Sequence, residues 1–227
     1  MRLLSNDAAT PTTRLIRIAL DGETFPYKAG QAAAIGLAGQ PPTPYSIASA
    51  PHETAAHGYL EFLVKVDGST RFGSQAAGVA VGTPIVVSPA IGRFGLPPDA
   101  ADHRLLFIAG GTGIAPLRSM LREVVDRGGS REPPAFIYSA RTPAEFAYAD
   151  ELRALQAAGA IALTLTLTGE AADWAHARGR TGPAHLDRLV SPDTLCYICG
   201  PPSMVTDLPV ALTALGVRRE QIRTEDW

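Results

Sequence analysis

Cysteine is scarce in this sequence, which has only Cys196 and Cys199 among its 227 residues. Two thiols are too few for a disulfide framework and for an iron–sulfur cluster held by four thiolates. The pair forms a C-x-x-C pattern, but positions i and i+3 of a strand point to opposite faces. We therefore expect neither a thiol redox couple nor a metal clip there, and any redox chemistry must use a bound organic cofactor.

Runs of one charge and long apolar segments are also missing. The 20 Lys and Arg against 22 Asp and Glu give a formal net charge of −2, which argues against nucleic acid or an anionic membrane as the main partner. The longest uncharged, mostly apolar run, 105–117, is too short to span a bilayer. Asp7 precedes any stretch of signal-peptide length. We expect a soluble, cytoplasmic protein.

The histidines do not form a metal-binding pattern. His52 and His57 are five positions apart in a predicted loop after Pro51. The metalloprotease pattern needs histidines four apart on one helical face. We expect no metal site in this sequence.

Two different structural rhythms are present. Up to residue 99, short β-rich segments are separated by Gly and Pro, which predicts a sandwich or barrel. After Asp102, strands alternate with helices, which predicts right-handed crossovers and a parallel sheet. The proline-rich segment 96–100 places the boundary between domains 1–99 and 100–227. The predicted strands are 13–20, 31–37, 45–49, 59–66, 84–88, 105–109, 135–139, 162–168, 195–199 and 221–224, with helices at 116–127, 144–157 and 203–215.

A glycine-rich loop, 110–116 (GGTGIAP), follows the first buried strand of the second half and opens a helix. Gly111 and Gly113, on either side of Thr112, let the backbone turn tightly and let a pyrophosphate approach the amide groups at the helix N-terminus. The alternative is a tight strand-to-helix turn without a ligand. Its place at the carboxyl end of the first strand favours dinucleotide binding.

The second strand of this half ends in Ser139 and Arg141 rather than in the acidic residue that binds the ribose in the usual Rossmann pattern. A hydroxyl and a guanidinium suit a 2′-phosphate, so the sequence favours NADPH over NADH. The alternative for Arg141 is a solvated surface charge.

Four segments together resemble the ferredoxin–NADP reductase superfamily. Residues 44–49 (PYSIAS) resemble its flavin-binding strand, and 87–94 (VSPAIGRF) the segment that closes its barrel. Residues 110–116 resemble its dinucleotide loop, and 199–204 (CGPPSM) a late strand-to-helix motif. The resemblance implies two domains: an N-terminal six-stranded antiparallel β-barrel that carries FAD, and a C-terminal α/β doubly wound parallel sheet that binds the nicotinamide dinucleotide.

Hydride transfer between two rings needs a flat slot, a hydrogen bond near flavin N5 and exclusion of water. The resemblance implies that Tyr45 offers an aromatic face and Ser46 a hydroxyl near N5. It places Cys199, Gly200 and Pro201 at the nicotinamide. Taken alone, Tyr45 and Ser46 are an ordinary strand pair, and a strand cysteine is a core residue.

The final residues 223–227 (RTEDW) are similar to the plastid-type end of the family. The resemblance implies that Trp227 covers one flavin face until nicotinamide displaces it, and that Glu225 relays protons or gates electron transfer. The alternatives are a solvated carboxylate for Glu225 and docking of Trp227 on the protein's own core.

The sequence departs from the family at Thr43, where an arginine usually binds the FAD pyrophosphate. Charge-assisted hydrogen bonds are about twice as strong as neutral ones, so flavin affinity is weaker unless another group replaces the arginine. Residues 68–74 (GSTRFGS) resemble the second phosphate-binding turn. Arg71 is the candidate cation there, or a solvated loop residue, and either Thr70 or Ser74 supplies the hydroxyl.

The leading hypothesis is an FAD-bound NAD(P)H reductase that passes electrons singly to a separate ferredoxin-like or oxygenase partner. A free-flavin or ferric reductase, with flavin as a dissociable substrate, is the enzymatic alternative and is favoured by Thr43. A non-catalytic electron-transfer or flavin-sensing subunit is the third, and the intact glycine loop argues against it.

Overall fold

The computed structural model describes residues 1–226. In its N-terminal half, six strands form two antiparallel sheets of three strands, with orders β1-β2-β5 and β4-β3-β6. Apolar side chains that alternate along these strands, such as Ile16, Ile35 and Phe62, fill a shared core. The elements are β1 (Arg2–Thr10), β2 (Thr13–Ala19), β3 (Ala32–Leu37), β4 (Thr43–Ser46), α1 (Pro51–His57), β5 (Tyr59–Lys65), α2 (Arg71–Ala76) and β6 (Ile85–Val87).

The prediction of a closed six-stranded barrel is wrong, because the six strands form two separate sheets. The two sheets share one core, and isolated backbone bridges join them at single points, Arg2 with Pro84 and Ile47 with Phe62. Strands β4 and β6 have four and three residues, which is too short to pair continuously along two edges. The antiparallel pairing of the strands in this half is as predicted.

Three N-terminal elements, β1, α1 and α2, differ from the sequence-based prediction. Strand β1 was not predicted, because its polar residues give little alternation. The segment after Pro51 is helix α1 rather than a loop. The Glu53 carboxylate accepts a hydrogen bond from the Ala50 amide at 2.9 Å, and Gly58 ends the helix with φ +71°. At seven residues, α1 is too short to show a helical period.

The C-terminal half is a parallel sheet, as predicted, with the order β10-β9-β8-β7-β11-β12, and its two-residue edge strand β10 adds a sixth strand to the five expected. Helices α3 and α4 pack on one face through Leu117, Leu121 and Leu152, and α5 and α6 on the other through Leu186 and Leu212. The elements are β7 (Leu105–Gly110), α3 (Ile114–Asp126), β8 (Ala135–Ala140), α4 (Ala149–Ala157), β9 (Ala162–Leu167), β10 (Ala177–Arg178), α5 (Pro183–Leu186), β11 (Leu195–Gly200), α6 (Pro202–Ala214) and β12 (Ile222–Asp226).

The strand order places a crevice at the centre of the sheet. After β7 the chain builds β8 to β10 on one side, then returns to place β11 on the other side of β7. Helices therefore leave β7 and β11 towards opposite faces. Ligands of open α/β sheets bind at such a reversal, outside the carboxyl ends of the strands.

Three smaller features complete the fold. Helix α4 begins at Ala149 rather than at 144, because Tyr148 adopts a left-handed backbone with φ +59°. Cys196 and Cys199 pack in the cores on opposite faces of the sheet, as the strand geometry predicts. No helix within residues 1–226 is long and apolar enough to cross a membrane.

Candidate functional site

A cleft of about 990 Å³ lies where the carboxyl edge of the parallel sheet meets the antiparallel half. Residues that follow β7, β8, β9 and β11 line one side, and residues of β4, β5 and the β1–β2 turn line the other. Among the sequence-predicted site residues, the cleft brings together Tyr45, Ser46, Thr70, Gly111, Thr112, Gly113, Ser139, Arg141, Gly200 and Pro201.

The glycine loop is held by close packing between neighbouring strand ends. Gly113 leaves no room for a side chain, because a Cβ there would lie 2.1 Å from the Cys199 carbonyl oxygen. Gly111 has φ +55° and faces open space. Its carbonyl accepts a hydrogen bond from the buried Tyr138 hydroxyl at 3.0 Å. At Gly111 and Gly113 the loop thus presents bare backbone to the cleft at the start of α3, with Thr112 as the side chain between them.

The end of β8 presents one buried hydroxyl and one exposed cation. Ser139 is buried. Arg141 is exposed, and its guanidinium Nη2 lies 3.4 Å from Glu145 Oε1. Arg180 and Thr181 line the same cleft. This corner therefore holds two arginines, one of them paired with a carboxylate.

The opposite wall presents a buried aromatic residue and several hydroxyls. The Tyr45 hydroxyl hydrogen-bonds to Thr70 Oγ1, and Thr70 in turn accepts from the Gly73 amide at 3.0 Å, which caps α2. Burial raises the pKa of Tyr45, so it remains a neutral phenol. Ser46 beside it is 6% exposed. Tyr45 is thereby fixed at the wall of the cleft.

Other predicted residues lie outside the cleft lining. Thr43 is half-buried at the start of β4. Arg71 and Ser74 are exposed on α2, where the Ser74 hydroxyl donates to the Arg71 carbonyl at 2.8 Å. Arg71 therefore does not bring its positive charge to the wall of the cleft that contains Tyr45.

The remaining predicted residues lie around β11 and β12. Cys199 is fully buried in β11, with Ala109 of β7 and Glu225 of β12 as its register partners. Glu225 is half-buried near the end of the edge strand. Trp227 lies outside the described residues.

Comparison with known proteins decides the family. Residues 107–209 match the oxidoreductase NAD-binding domain. Ferredoxin–NADP reductase B of Sorangium cellulosum is 32% identical over 233 residues, which cover 91% of this chain and 88% of that protein. This chain belongs to the ferredoxin–NADP reductase family. It is an oxidoreductase with a NAD-binding domain.

Other relatives extend the likeness. Terephthalate 1,2-dioxygenase reductase component 2 of Comamonas sp is 28% identical over 99% of this chain and 66% of that protein. A crystal structure of a ferredoxin NADP+ reductase from Neisseria gonorrhoeae, with bound FAD and NADP, superposes with a TM-score of 0.84 at 25% identity, covering 99% of this chain and 96% of that one.

Two cations that line the cleft of this reductase, Lys65 and Arg180, are not predicted by the sequence. Lys65 ends β5 at the cleft, with its ammonium 2.5 Å from Asp67 Oδ2. Arg180 follows a loop whose Trp174 ring stacks on Phe146 at 5.5 Å. Neither belongs to a motif. For Lys65 the sequence held one signal of a site residue, which is its position near the end of the predicted strand 59–66.

Proposed function

We propose that this chain is an FAD-dependent NAD(P)H reductase that passes electrons singly to a separate ferredoxin-like or oxygenase partner. One observation carries the proposal: Tyr45 and Ser46 share a cleft with Gly111 and Gly113. Relatives named as reductase components of a dioxygenase and a monooxygenase support the choice of acceptor. We also propose 1–99 as the flavin domain and 100–227 as the nucleotide domain.

The residues present fit the two dinucleotides. The cleft of about 990 Å³ has two walls, and each wall presents its own set of residues to a ligand. On the flavin side, Tyr45, Ser46 and Thr70 would hold the FAD, and Lys65 would supply the positive charge that Thr43 lacks. We assign no flavin contact to Arg71 or Ser74, since both lie outside the cleft lining.

On the nucleotide side, Thr112 and the amides at the start of α3 would bind the pyrophosphate. Gly200 and Pro201 would border the nicotinamide, with Cys199 behind them in the core. FAD, when bound, accepts hydride from the reduced nicotinamide and releases electrons one at a time. The protein's own residues position the two ligands and exclude water from the cleft.

We propose further roles for Ser46 and Glu225 in proton handling and for Trp227 in covering the flavin. Ser46 has a buried hydroxyl that would hydrogen-bond near the flavin N5. Glu225 would relay protons at the edge of the sheet, and Trp227 would cover one flavin face.

We propose NADPH as the preferred donor, with NADH as the alternative. Ser139, Arg141 and Arg180 line one corner of the cleft and suit a 2′-phosphate, for which a guanidinium is a bidentate partner. Glu145 competes with phosphate for Arg141, because its carboxylate oxygens lie 3.4 Å from Nε and Nη2 of the guanidinium.

A free-flavin or ferric reductase is the second candidate, and one observation favours it. Thr43 and Arg71, at the two positions where the family pattern suggested phosphate contacts, both lie outside the cleft lining. Lys65 is then the one described cation on the flavin wall, and it is shared with Asp67. Weak retention of FAD would follow.

The experiment separates these functions in one preparation. The purified protein is saturated with FAD, passed through a desalting column, and its visible spectrum is recorded before and after anaerobic addition of NADPH or NADH. Retained yellow colour that NADPH bleaches faster than NADH supports the proposal. Loss of all FAD on the column, with reduction of added free flavin, supports the second candidate. A retained flavin that neither nucleotide bleaches would refute the reductase function.

A further inference from the structure

A buried cluster of charges joins the two halves of the molecule behind the cleft. Arg118 of α3 is 9% exposed. Its Nη1 donates to Glu53 Oε2 at 2.9 Å and to the Ala48 carbonyl at 2.8 Å. Its Nε donates to Glu151 Oε2 at 2.8 Å. One guanidinium thus contacts α1, α4 and the segment that follows β4.

A second layer continues the cluster. The guanidinium of Arg118 lies 4.8 Å from the centre of the Tyr148 ring, and the Tyr148 hydroxyl donates to Glu61 Oε1 at 3.0 Å. Glu61, 4% exposed, also accepts from Arg17 Nε at 2.8 Å. Tyr148, whose backbone is left-handed, immediately precedes α4 and contributes its ring to the cluster.

Arginines and carboxylates alternate inside the cluster, and Arg17 also lies 3.5 Å from the exposed Asp7. Arg17, Arg118 and Arg122 face the three carboxylates of Glu53, Glu61 and Glu151. Burial opposes the charge of Arg118, but Glu151, Tyr148 and Glu53 raise its pKa above the ordinary value. The guanidinium therefore stays charged at every accessible pH.

Stability alone does not account for such a cluster. Well-packed apolar residues of similar volume are often as stable as a buried ion pair, and the best-attested use of buried ionic groups is to specify one arrangement of parts. Here the parts are the two walls of the cleft. Arg118 is in the second turn of the helix that begins at the glycine loop, and Ala48 lies two residues after Ser46.

A neighbouring bond repeats this connection. The Ser119 hydroxyl donates to the Ser49 carbonyl at 2.7 Å, and both residues are buried. Consecutive residues of α3 therefore hold the carbonyls of consecutive residues after β4. These two adjacent hydrogen bonds fix the orientation of α3 relative to the segment that follows β4.

We propose that Arg118 is the positioning residue that sets the nucleotide-binding helix in register with the flavin-binding strand. The inference rests on the proposed function, because register matters most where two rings must stack. A displacement of about 1 Å can cost about a hundredfold in such a reaction. Arg118 does not contact the cleft itself, so its substitution changes distance and angle without removing a ligand contact.

The test compares Arg118→Met with Leu212→Ala. Leu212 is fully buried on the far face of the sheet, so its truncation lowers stability without touching the cluster. Each variant is saturated with FAD and mixed rapidly with NADPH under anaerobic conditions. We expect the limiting rate of flavin reduction in Arg118→Met to fall by about ten- to a hundredfold. NADP+ affinity and FAD content should stay within about threefold, and Leu212→Ala should keep the wild-type rate.

Hydrogen exchange gives a readout that does not depend on turnover. We expect faster amide exchange in residues 45–54 in Arg118→Met but not in Leu212→Ala. If Arg118→Met does not fold, Arg118→Lys decides, because it keeps the charge but loses the planar fork that reaches three partners. A wild-type rate and wild-type exchange in the variant that folds would overturn the inference. A wild-type protein that is not reduced would refute the proposed function instead, and hydrogen exchange would still test the register.

Discussion

Gly113→Ala tests whether the approach of α3 to β11 shapes the nucleotide site. The backbone of Gly113 is right-handed, with φ −60° and ψ −9°, so alanine meets no conformational penalty. The added Cβ would lie 2.1 Å from the Cys199 oxygen and 2.8 Å from the Gly200 nitrogen. Any effect is therefore a steric effect of one methyl group.

The structure indicates which side must move. Cys199 and Gly200 are in β11, which pairs with β7 on one edge and β12 on the other. Since β11 is held on both edges, the start of α3 must retreat. Reaching ordinary contact requires a displacement of about 1.3 Å, because carbon and oxygen repel steeply below about 3.4 Å. Overpacking of this kind costs about 1–3 kcal/mol of unfolding free energy.

The same displacement moves the loop amides that we assign to the pyrophosphate. We expect NADP+ affinity to fall by about tenfold or more, since the amides must converge on one group. Denaturant unfolding measures the stability, and equilibrium dialysis with NADP+ measures the affinity. Gly78→Ala is the matched control. Its Cβ would lie 3.7 Å from the nearest atom, and the residue is remote from the loop.

The outcome is decided by comparing the two variants. Gly78→Ala should stay within about 0.5 kcal/mol of the wild type, as surface substitutions do, and should bind NADP+ normally. A Gly113→Ala protein with wild-type stability and affinity would refute the reasoning, because it would show that α3 does not approach β11 as closely as described.

Three further predictions concern single groups. Lys65→Gln should weaken FAD retention on a desalting column and make that retention less sensitive to salt. Unchanged retention would show that Lys65 is not the cation that contacts FAD. Although burial acts in the opposite direction, Arg118 and the Ala50 amide hold the pKa of Glu53 below its ordinary value. Its stabilising effect is therefore full above about pH 4.5 and is lost as pH falls through the folded-state pKa. Glu53→Gln should accordingly be less stable than wild type at pH 7, with a difference that shrinks in acid; a pH-independent difference would contradict this. Burial raises the pKa of Cys196 to about 12, so Cys196 should resist iodoacetamide in the native protein at pH 8 and react after denaturation, as mass spectrometry of the labelled peptide would show.

The sequence by itself determined the two-part architecture and the glycine loop. The apolar strand 105–109 is followed directly by glycines and then by a helix. This succession is a local pattern, because each element depends on neighbours within a few residues. The order of the motifs then predicted the family, which the comparisons confirmed. The same motifs predict that Tyr45, Ser46 and Gly113 belong to one site, and all three line one cleft.

Tertiary structure decided how these pieces meet. Nothing local predicts that Arg118 contacts Ala48, 70 positions earlier, or that Lys65 faces the cleft while Arg71 does not. Both depend on which sheet edges lie together. The open junction of the two antiparallel sheets likewise depends on strand lengths that only pairing reveals. Local spacing specifies helices, strands and loops, whereas the side chains that join the two walls belong to distant segments, and only their packing brings them together.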